Sequence, residues 1–346
     1  MRTAVLLLAL ATAGCSGATV SSSHGSPNAA SSPSPVTPSS CRLPFTTFAA
    51  TGFIGVQDGA FTTDPSSATQ PDPSRPGFVR TVASPALYGP GPAAGQETYD
   101  WTFLRWLPVP RELVSPDGSQ YTYGELIPNP ASQGLGGPPP IGTLVHVVDV
   151  ATGRDQVVYQ SPDVLGPVTF RPEGIYLTQA TAFVNTVTPF YVWLLDPAAH
   201  SAHKLLGGKS VGPGTTAFTA GTLWIMSIDP NNPKGPPKLL LVNLSDGVQS
   251  TWFEPTSMFA RLLGLDMLDH PIVSTSSTTN GDPGKTWVVT AAGRVQPIAD
   301  EGFTGQLVAD SHGLWLTGKG VFLYPTGGPL RKVSTEVGGS LLGSCG

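Results

Sequence analysis

Charge is scarce in this sequence. Only 12% of its 346 residues are charged, the formal net charge is −5, and lysine and arginine form no cluster. Proteins that bind nucleic acid concentrate positive charge on one face, because contacts with phosphate supply much of their affinity. We therefore expect no nucleic-acid partner.

Long hydrophobic runs are also missing. The apolar stretch near the start, from Ala4 to Ala13, follows a single positive charge at Arg2. A membrane-spanning helix needs roughly 20 apolar residues, so this stretch is too short to span and is typical of an export signal. We predict a signal peptide at residues 1–14.

The predicted signal ends in the letters TAGC, residues 12–15. This ending resembles the lipobox of bacterial lipoproteins, although leucine is usual where Thr12 stands. The resemblance implies that Cys15 becomes the lipidated N-terminus and anchors the protein to the outer face of the cytoplasmic membrane. Ordinary cleavage nearby, with Cys15 unmodified or removed, is the alternative. Residues 15–40 are rich in serine and proline and predict a disordered linker.

Cysteine is nearly absent, with three residues in the whole chain. If Cys15 carries a lipid, only Cys41 and Cys345 remain, at the two ends of the predicted folded domain, residues 41–346. An exported chain lies in an oxidising compartment, so we predict a disulfide between them. Two unpaired thiols are the alternative.

Glycine and proline, in contrast, are abundant, with 41 and 36 residues. Together with the low charge, this balance favours a turn-rich all-β domain over a helical one.

A repeat of about 47 residues organises that domain. Four hairpin patterns have their turns at Asp149, Asp196, Asn243 and Thr290, each 47 residues after the previous one, and another strand with its own turn precedes each hairpin. Such spacing predicts a β-propeller, which we expect to have six four-stranded blades, with five or seven as alternatives. The stretches GFIGVQDGAFTT and TYDWTFLRWLPV together predict a first, irregular blade. Propellers close by joining the first and last segments of the chain, and a disulfide from Cys41 to Cys345 would lock that closure.

One turn carries a resemblance to a known family. The stretch SPDGSQYTY, residues 115–123, is similar to the blade turn of TolB-type propeller repeats, and RPEG at residues 171–174 matches it in part. The resemblance implies protein interaction in the cell envelope. The chain departs from that family because its later blades lack the motif and no N-terminal α/β domain is recognisable.

Catalytic and metal-binding motifs are not found. The stretch TTNGDPGKTW has Thr279 where a phosphate-binding loop requires glycine, and a strand rather than a helix follows it. No nucleophile elbow is present, and the histidines show no third metal ligand. We therefore predict no catalytic residue, metal site or cofactor.

Two features suggest where binding occurs. The long insertions at residues 128–142, 180–189, 229–237 and 277–285 should all emerge on one face of a propeller, where they would form a binding rim or merely tolerated surface loops. The second feature is the stretch YDWTFLRWLPVPRE.

In that stretch, which runs from Tyr99 to Glu112, aromatic side chains stand beside charged ones. Trp101 and Trp106 are expected to fill the space between blades. The candidate binding residues are Arg105, Arg111 and Glu112.

These observations favour a lipid-anchored, monomeric propeller that binds an envelope protein or a surface ligand without catalysis. The alternative is a propeller hydrolase or lyase acting on extracellular sugars or peptides, whose acid and base groups gather in the channel from different blades.

Overall fold

The fold consists of short antiparallel strands. The computed structural model describes residues 41–67, 69–71, 79–81, 97–131, 138–179, 189–210, 215–228, 232, 234–257, 259–276, 284–303, 305, 307–326 and 328–346. Within them lie a 3-10 helix at Arg111–Leu113 and 27 strands. The strands are β1 (Arg42–Thr46), β2 (Thr51–Gly55), β3 (Phe61–Thr63), β4 (Thr69–Pro71), β5 (Val79–Thr81), β6 (Thr98–Asp100), β7 (Arg105–Leu107), β8 (Gln120–Ile127), β9 (Gly142–Asp149), β10 (Asp155–Ser161), β11 (Leu165–Arg171), β12 (Gly174–Gln179), β13 (Pro189–Asp196), β14 (Ser201–Ser210), β15 (Thr216–Thr219), β16 (Thr222–Ser227), β17 (Lys238–Asn243), β18 (Gln249–Phe253), β19 (Phe259–Leu265), β20 (Pro271–Ser276), β21 (Thr286–Ala291), β22 (Arg294–Ala299), β23 (Leu307–Asp310), β24 (Gly313–Gly318), β25 (Gly320–Tyr324), β26 (Arg331–Ser334) and β27 (Ser340–Leu341).

Strands that follow one another in sequence pair into small sheets, which we number as blades 1 to 7. Blades 4, 5, 6 and 7 are four-stranded meanders formed by β11–β14, β15–β18, β19–β22 and β23–β26. Blade 3 has three strands, β8–β10, and blade 2 has two, β6 and β7. Blade 1 has the order β27-β1-β2-β3. Strands β4 and β5 form a separate two-stranded ribbon.

The second strand of each regular blade is the most deeply buried. Its sequence is a short apolar run, such as TLWIMS in β16 and GLWLTG in β24, and nearly every residue of these two strands is buried. A strand with this pattern is covered on both faces, as expected when blades stack against each other. The blades are thus held together through their sheet faces.

Hydrophobic clusters lie between successive blades. In the described parts of the chain, seven clusters occupy the seven junctions of a ring. Phe53 of blade 1 meets Trp106 of blade 2, for example, and Ile54 meets Trp315 of blade 7. This circular succession confirms the predicted all-β propeller.

The structure gives the number of blades more exactly than the sequence does. The described residues form six sheets of three or four strands, and blade 2 adds a reduced sheet at a seventh position. The interpretation that GFIGVQDGAFTT and TYDWTFLRWLPV share one blade is wrong. The first stretch contains β2 and β3 of blade 1, whereas the second contains β6 and β7 of blade 2, because blade 1 takes its missing strand from the other end of the chain.

Ring closure occurs within blade 1. Strand β27 pairs antiparallel with β1, with Phe45 opposite Leu341, and so becomes the innermost strand of that blade. Cys41 and Cys345, the pair predicted from the cysteine count, are joined by a disulfide with their Cα atoms 5.5 Å apart. This bond stands where the other blades have the turn between their first and second strands.

The predictions for residues 1–40, including lipidation at Cys15, lie outside the described residues. In the part of the chain that the structure describes, no helix has the length and apolar character needed to cross a membrane.

Candidate functional site

A cavity of about 570 Å³ occupies the centre of the ring. The first strands of blades 4 to 7 contribute to its wall, together with the turns at Pro172 and at residues 266–269. These turns connect first and second strands, so the cavity lies towards that face of the propeller. The long insertions predicted as a rim connect second and third strands at the opposite face, and much of their length lies outside the described residues.

The 3-10 helix brings two of the predicted residues to this cavity. Blade 3 lacks a regular first strand, and Pro108 and Pro110 precede the helix. Proline cannot donate to a strand ladder, which favours an irregular segment here. Arg111 and Glu112, predicted as binding residues, therefore line the cavity instead of pairing in a sheet.

Arg111 is the positive charge with the fewest partners in the cavity. One of its Nη1 hydrogens is donated to the carbonyl oxygen of Ala309 over 3.2 Å, and no described residue forms an ion pair with it. Surrounding protein lowers the pKa of Arg111, because burial disfavours the charged form, while the charges of Asp310 and Glu112 act in the opposite direction. Arginine nevertheless remains protonated at neutral pH. The Arg111 side chain is exposed to solvent, so the cavity holds a guanidinium that has donors to spare and that a ligand can reach.

A second guanidinium is already paired. Arg171 Nη2 lies 3.3 Å from both carboxylate oxygens of Asp269, which comes from the turn of blade 6. The Nε atom of Arg171 is buried and has no hydrogen-bond partner among the described residues. The pair connects the turns of blades 4 and 6 across the mouth of the cavity.

Asp266, a further carboxylate at the mouth of the cavity, stabilises its own turn. Asp266 Oδ1 accepts hydrogen bonds from the backbone N–H groups of Leu268 and His270, each at 2.8 Å. Its Oδ2 lies 3.0 Å from His270 Nδ1. Asp266 and Asp269 are therefore engaged, whereas Glu112 is exposed and forms no ion pair with a described residue.

A smaller cavity of about 310 Å³ adjoins the 3-10 helix between blades 1, 2 and 3. Arg111 lines it as well, together with Tyr99, Trp101, Asp117 and Ser344. Arg111 therefore stands between two hollows on the same face of the ring.

The remaining predicted residue lies elsewhere. Arg105 donates from Nε to the carbonyl oxygen of Phe103 over 3.3 Å and from Nη1 to that of Val150 over 3.4 Å, and it lines neither cavity. Its contacts fasten the turn of blade 2 to blade 3. Trp106 is fully buried between blades, and Trp101 is half-buried beside it.

A polar cluster of a different kind lies on blade 3. His146 Nδ1 is 3.0 Å from Asp155 Oδ1, and its Nε2 is 3.2 Å from Glu125 Oε2. The ring of Tyr123 stacks on His146 with centroids 4.4 Å apart, and its hydroxyl donates to Asp155 Oδ2 over 2.6 Å. Burial and this carboxylate raise the pKa of Tyr123. Tyr123, His146 and Asp155 thus contact one another, whereas His146 Nε2 is buried and, although close to Glu125, has no hydrogen-bond partner among the described residues.

Sequence reasoning missed Arg171, Asp266 and Asp269. The match of RPEG to the blade turn marked the position of Arg171, but it did not show that the turn faces the channel. The aspartates stand in the corresponding turn of blade 6, in the stretch LDMLDHP.

Comparison with known proteins finds similar solved structures but no similar curated sequence. No protein-family model matches the chain, and no curated protein sequence does. Solved structures that resemble it include an oligogalacturonate lyase in complex with manganese, at 11% identity and a TM-score of 0.46, over 64% of this chain and 63% of that chain.

TolB from Acinetobacter baumannii is another, at 12% identity and a TM-score of 0.39, over 72% of this chain and 66% of that chain. A prolyl endopeptidase matches at 11% identity and a TM-score of 0.48, over 88% of this chain and 50% of that chain. The chain thus spans about two thirds or less of the length of these structures. These structures include TolB as well as enzymes, so they do not indicate a function for this chain. The fold assignment rests on the arrangement of the sheets.

Proposed function

We propose that this protein is a lipid-anchored binding module of the cell envelope that takes an anionic group of its ligand into the central cavity. The observation that carries the proposal is Arg111, a solvent-accessible guanidinium at the cavity without a carboxylate partner among the described residues. A carboxylate or phosphate that reached it would form charge-assisted hydrogen bonds with this guanidinium.

The wall of the cavity limits what kind of ligand fits. Apolar side chains such as Phe170, Phe218 and Leu265 line it beside the charged groups. Ligand sites commonly combine a mostly apolar wall with a few polar groups that fix orientation. The arrangement suits an acidic segment of a protein, with its charge on Arg111 and its apolar atoms against this wall.

The test is crosslinking of the anchored protein on intact cells, followed by identification of what is trapped. We expect one recurrent protein with the wild type and at least about a tenfold loss with Arg111→Gln, since a charge-assisted hydrogen bond contributes about 1.5 kcal/mol or more. Arg294→Gln, which removes an exposed arginine of β22, is the matched control and should leave the yield unchanged. Equal yields from both variants would contradict the proposal.

Membrane attachment is tested separately. Replacing Cys15 by serine removes the thiol that would carry the lipid, so the full chain should move from the membrane fraction to the soluble fraction. Retention of the Cys15→Ser variant in membranes would contradict the anchor and leave the cavity proposal standing.

An enzyme is the second candidate, because the channel does gather titratable groups from different blades. Asp266 and Asp269 are engaged by their own partners, so Glu112 is the carboxylate available for proton transfer among the described residues of the cavity. If the trapped ligand is chemically converted by wild type but not by Glu112→Gln, while binding persists, the protein is an enzyme. An unchanged ligand supports the binding module.

A further inference from the structure

The closure of the ring brings three metal-binding donors together. The sulfur atoms of Cys41 and Cys345 and one ring nitrogen of His312 all lie within 4.8 Å of one another. His312 belongs to the turn between β23 and β24 of blade 7, whereas the cysteines belong to blade 1. The three donors therefore meet only because blades 7 and 1 adjoin in the closed ring.

The two sulfur atoms are held near each other by more than their mutual bond. Arg42 donates its N–H to the carbonyl oxygen of Gly346 over 2.9 Å, and Gly346 returns one to Arg42 over 3.3 Å. The pairing of β27 with β1 continues this ladder. Breaking the disulfide would consequently leave two thiols side by side on a paired backbone.

Asp310 fixes the histidine and one cysteine in relation to each other. Its Oδ1 lies 3.2 Å from His312 Nδ1, and its Oδ2 accepts the backbone N–H of Cys345 over 2.9 Å and Trp315 Nε1 over 2.8 Å. A carboxylate on one imidazole nitrogen is the usual support of a metal-ligating histidine, since it orients the ring and makes the other nitrogen a better donor.

We propose that Cys41, Cys345 and His312 form a site for Zn²⁺ that becomes available when the disulfide is reduced. Two thiolates and an imidazole are a donor set that zinc prefers. Zinc binds sulfur at about 2.3 Å and nitrogen at about 2.0 Å, so its ligands stand roughly 3.5 Å apart, and the two sulfur atoms would have to move apart to this distance once their bond is broken. The fourth position is left to water or to an external ligand.

The chemistry of loading is balanced as follows. A dithiol reductant supplies two electrons and two protons, the S–S bond breaks, and the reductant becomes a disulfide. Zinc binding then releases the two thiol protons and forms two Zn–S bonds and one Zn–N bond. Disulfide and zinc thus exclude each other, and the closure of the ring is either covalent or metal-bridged.

Access to the site is compatible with this exchange. Cys345 is 9% exposed, but Cys41 is half-buried and the side chain of His312 is 25% exposed. A reductant and a metal ion would approach past His312, whose turn connects a first and a second strand, as do the turns at the central cavity.

The experiment uses the full chain with Cys15→Ser, so that Cys41 and Cys345 carry the only thiols. After reduction with a phosphine, Co²⁺ is titrated as a spectroscopic substitute for zinc. We expect one equivalent to bind with the intense near-ultraviolet absorption of a cobalt–thiolate bond, and Zn²⁺ to displace it. The oxidised protein should show no such absorption. Absence of the signal in the reduced protein would overturn the proposal.

Variants distinguish the site from a simple pair of thiols. His312→Ala should weaken Zn²⁺ binding at least about tenfold, and Asp310→Asn by roughly 10-fold to 100-fold. His270→Ala, in the corresponding turn of blade 6, is the control and should bind as the parent does. Protection of the two thiols from alkylation by Zn²⁺ provides a second readout. Equal affinity and equal protection in the His312→Ala variant would also overturn the proposal.

Discussion

Blades 4 to 7 and the closure region hold together in different ways. In blades 4 to 7 each sheet is one continuous stretch of chain, and its buried second strand packs between its neighbours. In blades 1 and 2 the described residues supply fewer strands in sequence, or a strand from distant sequence, and specific connections take over. Trp101 Nε1 donates to the carbonyl oxygen of Ser344 over 2.8 Å, and Ser334 Oγ to that of Gly59 over 2.6 Å. Regular repetition stabilises one region, and individual long-range bonds stabilise the other.

Aromatic side chains pack around the two described strands of blade 2. The rings of Phe53, Tyr99, Trp101 and Trp106 pack with centroid distances between 4.7 and 5.6 Å. Large rings bury much apolar surface from few residues, which is what a two-stranded sheet needs to fill the space of a blade. The dense aromatic stretch in the sequence therefore has a structural purpose beside its link to Arg111.

Removing the disulfide should destabilise the closure region, and we expect it to cause the largest loss of stability among these changes. Cys41 and Cys345 are separated by 304 residues, and the loop-entropy model gives up to about 5 kcal/mol for so long a closure. The variant Cys41→Ala with Cys345→Ala should therefore unfold at clearly lower urea concentration. A reductant should lower the midpoint of wild type in the same way and leave the variant unchanged. An identical midpoint in variant and wild type would show that strand pairing alone closes the ring.

A pair of leucines sharpens the comparison between reduced and regular blades. Leu107 of blade 2 and Leu239 of blade 5 are both fully buried. Replacing either by alanine leaves a cavity, so each should lower the free energy of unfolding by roughly 3 kcal/mol in urea denaturation. A much smaller loss for Leu107→Ala, or an additional early transition, would mean that blade 2 is not a cooperative part of the ring.

The smallest effect concerns the turn that introduces blade 3. The hydroxyl of Ser115 and the N–H and hydroxyl of Ser119 hold the pKa of Asp117 below its ordinary value. A carboxylate with a lowered pKa contributes stability above its unfolded pKa of about 3.9 and loses it as the pH falls through the folded pKa. Asp117→Asn should destabilise by on the order of 0.5 kcal/mol at pH 7, because the group is exposed, and by less at pH 3.

Urea unfolding at both pH values measures this difference. Asp300→Asn, whose carboxylate is 93% exposed, is the control for loss of an aspartate charge at the surface. An Asp117→Asn effect of equal size at both pH values would contradict the role assigned to the carboxylate.

The sequence predicted the regular region better than the closure region. The turns at Asp149, Asp196 and Asn243 do connect third and fourth strands, because each blade repeats the same apolar runs at the same spacing. The sequence did not predict that β27 joins blade 1 as its innermost strand. A strand of two residues leaves no periodic pattern, and its pairing depends on the closed ring.

The candidate site was predicted in part for a similar reason. Arg111 and Glu112 stand in a stretch dense enough to be noticed, whereas Arg171 and Asp269 come from turns 98 residues apart. Such turns meet only through the circular order of the blades. The closeness of His312 to the two cysteines likewise follows from the contact between blades 7 and 1.

The pairing of β27 with β1 also determines when blade 1 can be completed during synthesis of the chain. A chain made from its N-terminus exposes β1 long before residues 340–345 exist, and until then blade 1 lacks its innermost strand. An unpaired strand edge invites association with other chains. Blade 1 should therefore be open to association with other chains until residues 340–341 have been made and pair with β1.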